Sequence, residues 1–281
     1  MDTLKRKLVG SSIVLMFVAL QSCNLLPTFD PLNFIRAKST VNERFVDSET
    51  TNATHPIPNV IVATDTYQFI AVSDIHITDY SDNLAQVFAV AETDNTDFLL
   101  LVGDICNGRT KQLEAAKKQV EAWDKKPCYY VAGNHDLFFS WEEYLTHFGS
   151  SSYTFEVETS ARKDLFIAIE SASGTFGAKQ TAWLKRQVAN RHLYRHCIIF
   201  THTNFFARPF DTNGIYTKEE RISLLSLFSS FDVTMVITGH AHKEHRTVLG
   251  NVLYITLPAL ENGGSIRFDV GNEIQASTIV P

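Results

Sequence analysis

The chain has 281 residues, 44% of them hydrophobic and 20% charged, with a formal net charge of −6. That is enough for one large packed domain or two small ones, and it excludes a disordered or fibrous chain. The acidic balance deepens once the first 22 residues are set aside, because Lys5, Arg6 and Lys7 outnumber Asp2 there. An acidic body excludes nonspecific nucleic-acid binding through a basic face; it leaves small phosphate esters open.

Residues 1–22 read as a signal peptide: Lys5-Arg6-Lys7 precede an apolar run from Leu8 to Leu20, too short for a membrane span. Leu20-Gln21-Ser22-Cys23 then resembles a bacterial lipobox, although Gln21 stands where a smaller residue is usual. The resemblance implies cleavage before Cys23, acylation of its sulfur, and an exported cell-envelope lipoprotein held at the membrane. Each buried acyl CH₂ contributes about 0.8 kcal/mol, so a multiply acylated cysteine anchors stably. Residues 23–65 carry Pro27, Pro31, Pro56 and Pro58 among many Asn, Thr and Ser, with no sustained period of 2 or 3.6. They are expected to be a flexible tether, and the domain is expected to run from Thr66 to residue 281.

From Tyr67 the pattern alternates. Strands are expected at 67–73, 97–102 and 127–132, separated by helices at 82–92 and 110–125, where Leu113, Ala116, Val120 and Trp123 recur at helical spacing. This β-α-β-α-β run predicts a parallel sheet with right-handed crossovers. A helix is expected at 137–148, paired strands at 153–158 and 164–169, and a helix at 178–190. A strand at 196–200, a helix at 218–231 and a strand at 233–237 follow. Short strands near 246–248, 252–256, 265–270 and 273–279 close the chain. The expected class is α/β, with two packed mixed sheets flanked by helices. Cys106, Cys128 and Cys197 sit in or beside apolar strands and read as small buried hydrophobes, with pairing among them left open.

Five apolar runs end in polar chemistry. They finish in Ser73-Asp74-Ile75-His76, Gly103-Asp104-Ile105-Cys106-Asn107, Gly133-Asn134-His135-Asp136, Thr201-His202-Thr203 and Gly239-His240-Ala241-His242. In an open α/β sheet, sites form just outside the carboxyl ends of the strands. Any one of these turns is commonplace as a solvated turn, a helix cap or a satisfied core histidine. Five together, delivering Asp, His and Asn to one rim, predict a metal site.

In this order the five stretches resemble the calcineurin-like metallophosphoesterases, over roughly residues 67–270. The resemblance implies a four-layer sandwich and two divalent ions. Asp104 would be the bridging carboxylate; Asp74, His76 and His242 would complete one metal, and Asn134, His202 and His240 the other. Mixed imidazole, carboxylate and amide ligands suit Mn, Fe, Zn or Co without choosing among them. The implied reaction is hydrolysis of phosphate mono- or diesters by a hydroxide held between the metals. His135 would protonate the leaving oxygen with Asp136 orienting its ring, and Asn134 and Arg208 would meet the phosphate. Asn107 stands where one branch of the family has a tyrosine ligand, and Thr203-Asn204 departs from the usual residues after the fourth motif. The alternatives are a catalytically silent metal-binding scaffold of the same fold and a nucleotide or lipid-precursor pyrophosphatase. Oligomeric state is not written in the sequence.

Overall fold

The computed structural model describes residues 38–206 and 216–279. Cys23 with its signal peptide, and Arg208, lie outside the described residues. Two mixed sheets pack face to face. The five-stranded sheet has the order β12-β11-β2-β3-β4 and the seven-stranded sheet β1-β5-β6-β7-β8-β10-β9. In the first, β2 (Tyr67–Val72), β3 (Phe98–Val102) and β4 (Cys128–Val131) run parallel, and β11 (Ser265–Val270) and β12 (Ile274–Ile279) add antiparallel. In the second, β6 (Lys163–Ile169), β7 (Cys197–Thr201), β8 (Met235–Thr238) and β10 (Val252–Thr256) run parallel. β5 (Tyr153–Glu158) and β9 (His245–Leu249) flank them antiparallel, and β1 (Val60–Ile61) lies parallel to β5.

Strands covered on both faces should read as continuous apolar runs, and β3, β7 and β8 are buried at every position. Between the sheets lies an aromatic core of Phe69, Phe98, Phe155, Phe166, Phe200 and Phe268. Helices α2 (Asp82–Thr93), α3 (Thr110–Trp123) and α4 (Trp141–Phe148) cover the outer face of the five-stranded sheet. Helices α5 (Gly177–Val188) and α6 (Lys218–Ser230) cover the other. The result is the expected α/β four-layer sandwich. No helix among the described residues is long and apolar enough to cross a membrane. Cys106, Cys128 and Cys197 are free thiols.

Two local expectations are corrected. The helix foreseen over 137–148 starts only at Trp141, because the Ser140 side chain caps it by accepting from Glu143 N. The second part of the expected tether is not irregular: residues 41–54 form helix α1 (Val41–Thr54), closed at its start by a Thr40/Glu43 capping box. Its buried stripe, Val41, Arg44, Phe45 and Ser48, has helical spacing but is half polar, which hides it from an apolar period. Phe45 packs against Trp183 at 5.7 Å between ring centroids, so the packed body begins well before Thr66.

His196, at the entry to β7, is 6% exposed and donates from Nε2 to the Gly271 carbonyl at 2.9 Å. Burial lowers its pKa from the ordinary 6.5. The unfolded chain therefore takes up a proton that the folded chain refuses, and stability present above about pH 6.5 is lost as the pH falls through the folded value. His196→Gln should lose less melting temperature than the wild type between about pH 7 and pH 5. Equal losses would exclude this contribution.

Candidate metal centre

All five polar turns lie at the carboxyl ends of parallel strands, and both sheets deliver them to one place. His202, after β7, donates from Nδ1 to the Val102 carbonyl of β3 at 2.8 Å. The His240 N–H, after β8, donates to Asp74 Oδ2 at 3.0 Å. The turns are held close. A Cβ on Gly133 would lie 2.2 Å from Asp104 Oδ1, and one on Gly103 would lie 2.5 Å from His202 Nδ1, so neither position admits a side chain. Among the described residues nine non-glycines have positive φ, and five of them are Asp74, His76, Asp104, His240 and His242. Each such residue costs on the order of 1–3 kcal/mol and persists only where the surroundings force it, a pattern that clusters at functional sites.

Two groups of donor atoms result, Asp74 with His76 and His242, and Asp104 with His202 and His240; within each group the ligand atoms lie within 4.8 Å of one another. Three of the imidazoles have their outer nitrogen committed. His76 Nδ1 lies 3.1 Å from Asn107 Oδ1, His202 Nδ1 2.8 Å from Val102 O, and His242 Nδ1 3.1 Å from Glu261 Oε1. An oxygen acceptor holds the proton on Nδ1, so each Nε2 turns a lone pair inward, the arrangement in which metal-bound histidines are oriented. His76 Nε2 is buried with no hydrogen-bond partner. Asp74 Oδ1 is likewise without a hydrogen-bond partner, and His242 Nε2 faces it at 3.2 Å. Around His202 Nε2 gather Asp104 Oδ2 and Asn134 Oδ1, each at 3.2 Å, and His240 Nδ1 at 3.3 Å. These are electron pairs facing electron pairs, and a cation is what they fit.

The electrostatics agree. Burial would raise Asp104, yet His202, His135 and His240 hold its carboxyl well below the usual range. A proton on His202 Nε2 is the alternative to that cation: burial would lower this imidazole, yet the Asp104 carboxylate beside it raises it to about 10. Burial and the neighbouring His202 push His240 down to about 4. Opposed shifts among adjacent groups mark a functional site.

The structure therefore brings together Asp74, His76, Asp104, Asn134, His202, His240 and His242, with His135 beside them, its ring 4.7 Å from that of His76. It does not place Asp136 as expected. The Asp136 carboxylate is fully buried and accepts the N–H groups of Cys106 and Gly133, both at 2.9 Å. It ties the Asp104 loop to the Asn134 turn instead of orienting a ring, and burial beside Asp104 raises its pKa to about 7. The ring of His135 is oriented by Asn107, whose Oδ1 accepts from His135 Nδ1 at 3.0 Å as well as from His76. Asn107 and Glu261 are the supporting residues that sequence reasoning missed. Asn107 had a signal, three residues past Asp104; Glu261 had none. Asn107→Leu should weaken metal binding and kcat/KM by roughly 10–100-fold without unfolding the chain. Wild-type values for both in metal titration and steady-state kinetics would show that Asn107 is dispensable.

Comparison with known proteins places this geometry. The family model described as calcineurin-like phosphoesterase matches residues 67–244. No curated protein matches the chain. A dimetal phosphatase from Danio rerio aligns with a TM-score of 0.58 at 16% identity, over 76% of this chain and 98% of that one. GAP50, the anchor in the inner membrane complex of Plasmodium, aligns at 0.61 and 14% identity, over 76% and 84%. A purple acid phosphatase from yellow lupin (Lupinus luteus) seeds aligns at 0.59 and 11% identity, over 77% of this chain and 52% of that one. At such identities these likenesses establish the fold.

Proposed function

The chain belongs to the calcineurin-like phosphoesterase family and is a metal-dependent phosphoester hydrolase, and from that premise we propose that it hydrolyses phosphate mono- or diesters at a pair of divalent ions. Asp74, His76 and His242 would hold one ion and Asn134, His202 and His240 the other, with the Asp104 carboxylate available to both. The observation that carries this reading is the set of inward-facing lone pairs, with His76 Nε2 and Asp74 Oδ1 buried and unbonded. When bound, the two ions supply positive charge for the phosphate oxygens and lower the pKa of the attacking water.

The chain's own groups do the rest. Asn134 turns Oδ1 toward His202 Nε2, leaving its Nδ2–H groups to donate to a phosphate oxygen. His135 donates its Nδ1–H to Asn107 Oδ1, so Nε2 carries a proton only in the imidazolium form, and that second proton is the one a leaving oxygen would take. Phe138 packs edge-on against that ring at 4.5 Å and shields it from water. Arg208, outside the described residues, is proposed as a further partner of a small phosphate-ester substrate.

The test is turnover of p-nitrophenyl phosphate and bis(p-nitrophenyl) phosphate with added Mn²⁺, its loss with chelator and its return on re-addition. No turnover of either ester with Mn, Fe, Zn or Co would favour the silent scaffold. The description of GAP50 as an anchor makes that rival concrete, but a silent relative is expected to have lost ligands, and here all seven positions are filled. Cleavage of diphosphates alone would instead favour the pyrophosphatase.

We also propose export and acylation at Cys23, on the order of its charged, apolar and lipobox segments. Mass spectrometry of the mature N-terminus should find an acylated Cys23, and Cys23→Ala should leave the membrane fraction. A membrane-bound Cys23→Ala protein would refute the anchor.

A further inference from the structure

Helix α1 lies outside residues 67–244, the span that the family model matches. It nevertheless reaches two of the turns that build the site, through two separate sets of buried contacts. On one side the Ser48 Oγ accepts from Ser151 N at 3.3 Å, and the Ser48 carbonyl accepts from Ser150 Oγ at 3.1 Å. Ser151 Oγ in turn accepts the N–H of Ala132 at 2.8 Å, two residues before Asn134. On the other side Arg44 donates from Nε to Glu170 Oε2 at 3.0 Å, from Nη2 to Ser173 Oγ at 2.7 Å, and from Nη1 to the Ser39 carbonyl at 2.6 Å. Glu170 Oε1 accepts the Ala172 N–H at 2.6 Å, which folds the chain tightly around Ser171. Ser171 then accepts at Oγ from Thr203 N at 2.9 Å and from Thr201 Oγ1 at 2.7 Å, the two residues flanking His202. Its carbonyl accepts from Thr203 Oγ1 at 2.8 Å.

We propose that α1 is a positioning element of the metal centre, holding the Asn134 turn through Ser48 and Ser151 and the His202 turn through Arg44, Glu170 and Ser171. This rests on the ligand roles given above to Asn134 and His202, which belong to the same ion. Helix docking alone does not need these polar contacts. Val41 and Phe45 already bury the helix: a Cβ on Gly177 would strike Val41, and Phe45 meets Trp183. A buried ion pair is a poor way to gain stability, since well-packed apolar residues of like volume often do as well or better. Arg44 and Glu170 are each 1% exposed, and what they add is direction: four charge-assisted bonds that fix one loop in one place. Ligands held from behind in this manner bind metal roughly 10–100-fold better than ligands left loose.

The test uses the full chain and titrates it with Mn²⁺. The wild type binds two ions. Ser151→Ala, which strips Ala132 N–H of its acceptor, and the paired change Arg44→Met with Glu170→Gln, which removes both charges together, should each weaken one ion about 10-fold or more and leave the other unchanged. Excess Mn²⁺ should restore most of kcat. Trp123→Phe, which loses a bond to Glu92 between α2 and α3, serves as the control for stability alone. If Ser151→Ala does not fold, Ser48→Ala removes only the acceptor of Ser151 N–H and reads the same arm. Two ions bound with wild-type affinity in folded variants, at a melting temperature lowered no further than in Trp123→Phe, would overturn the positioning role and leave the catalytic reading standing. A wild type that never holds two ions would overturn that reading and this one with it.

Discussion

Asp104→Asn should abolish measurable turnover, lowering kcat/KM by more than the roughly 10–100-fold that follows loss of a supporting contact, and should reduce the bound metal from two ions to one or none. The side chain is 1% exposed, and its two oxygens have separate tasks. Oδ1 accepts the His135 N–H at 2.8 Å, while Oδ2 faces His202 Nε2 at 3.2 Å. Asparagine preserves the volume and one acceptor, so the His135 turn keeps its hydrogen bond. What disappears is the negative charge that lets two dications share a small volume, at a position where low dielectric makes each charge count. Kinetics together with a metal count check this, and a variant retaining two ions and a wild-type rate would show that Asp104 bridges nothing.

His135→Ala should leave both ions in place and lower kcat by about 10²–10⁴-fold for an alkyl phosphate, whose leaving oxygen needs a proton. For a p-nitrophenyl ester the fall should be far smaller, because that oxygen departs readily as an anion. The structure favours a clean result. The contact that ties His135 into the centre is its backbone N–H on Asp104, which alanine retains. The ring itself touches Asn107 and Phe138 and meets His76 only edge-on, with no hydrogen bond between the two imidazoles. Equal losses for both esters, or loss of an ion, would move His135 from proton donor to structural support.

What was legible in the sequence was the part written in short-range patterns. Apolar runs such as Phe98–Val102 and Cys197–Thr201 announce strands, and the polar residues behind them announce a rim. Asp74, His76, Asp104, Asn134, His202, His240 and His242 could be named because each stands within a few residues of such a strand end. The supporting contacts were not legible, since they join distant segments: Glu261 lies 19 residues beyond His242 and meets it only because β9 and β10 fold back between them. Asp136 was misread for a related reason. Adjacency to His135 suggested a partnership, but the turn points its carboxylate at Cys106 N and Gly133 N, and the ring faces Asn107. Helix α1 escaped because its buried face carries Arg44 and Ser48, and hydrophobic periodicity cannot register a polar face that is buried by hydrogen bonds. Its capping box, Thr40 with Glu43, was the one local signal on offer.

The polar residues of α1 and the unbonded atoms of the site have a common logic. A rim of strained, lone-pair-rich turns does not hold itself together without its ions. Asp136, Asn107, Glu261 and the α1 contacts supply the restraint, each from a different segment. That restraint keeps donors of like character within reach of one another until cations fill the space between them.

Anomalous scattering from crystals of the protein purified with Mn²⁺ tests the dinuclear centre most directly. Two metal peaks are predicted, about 3.5–4 Å apart, with Asp104 touching both. A single peak, or two peaks of which neither touches Asp104, would contradict it.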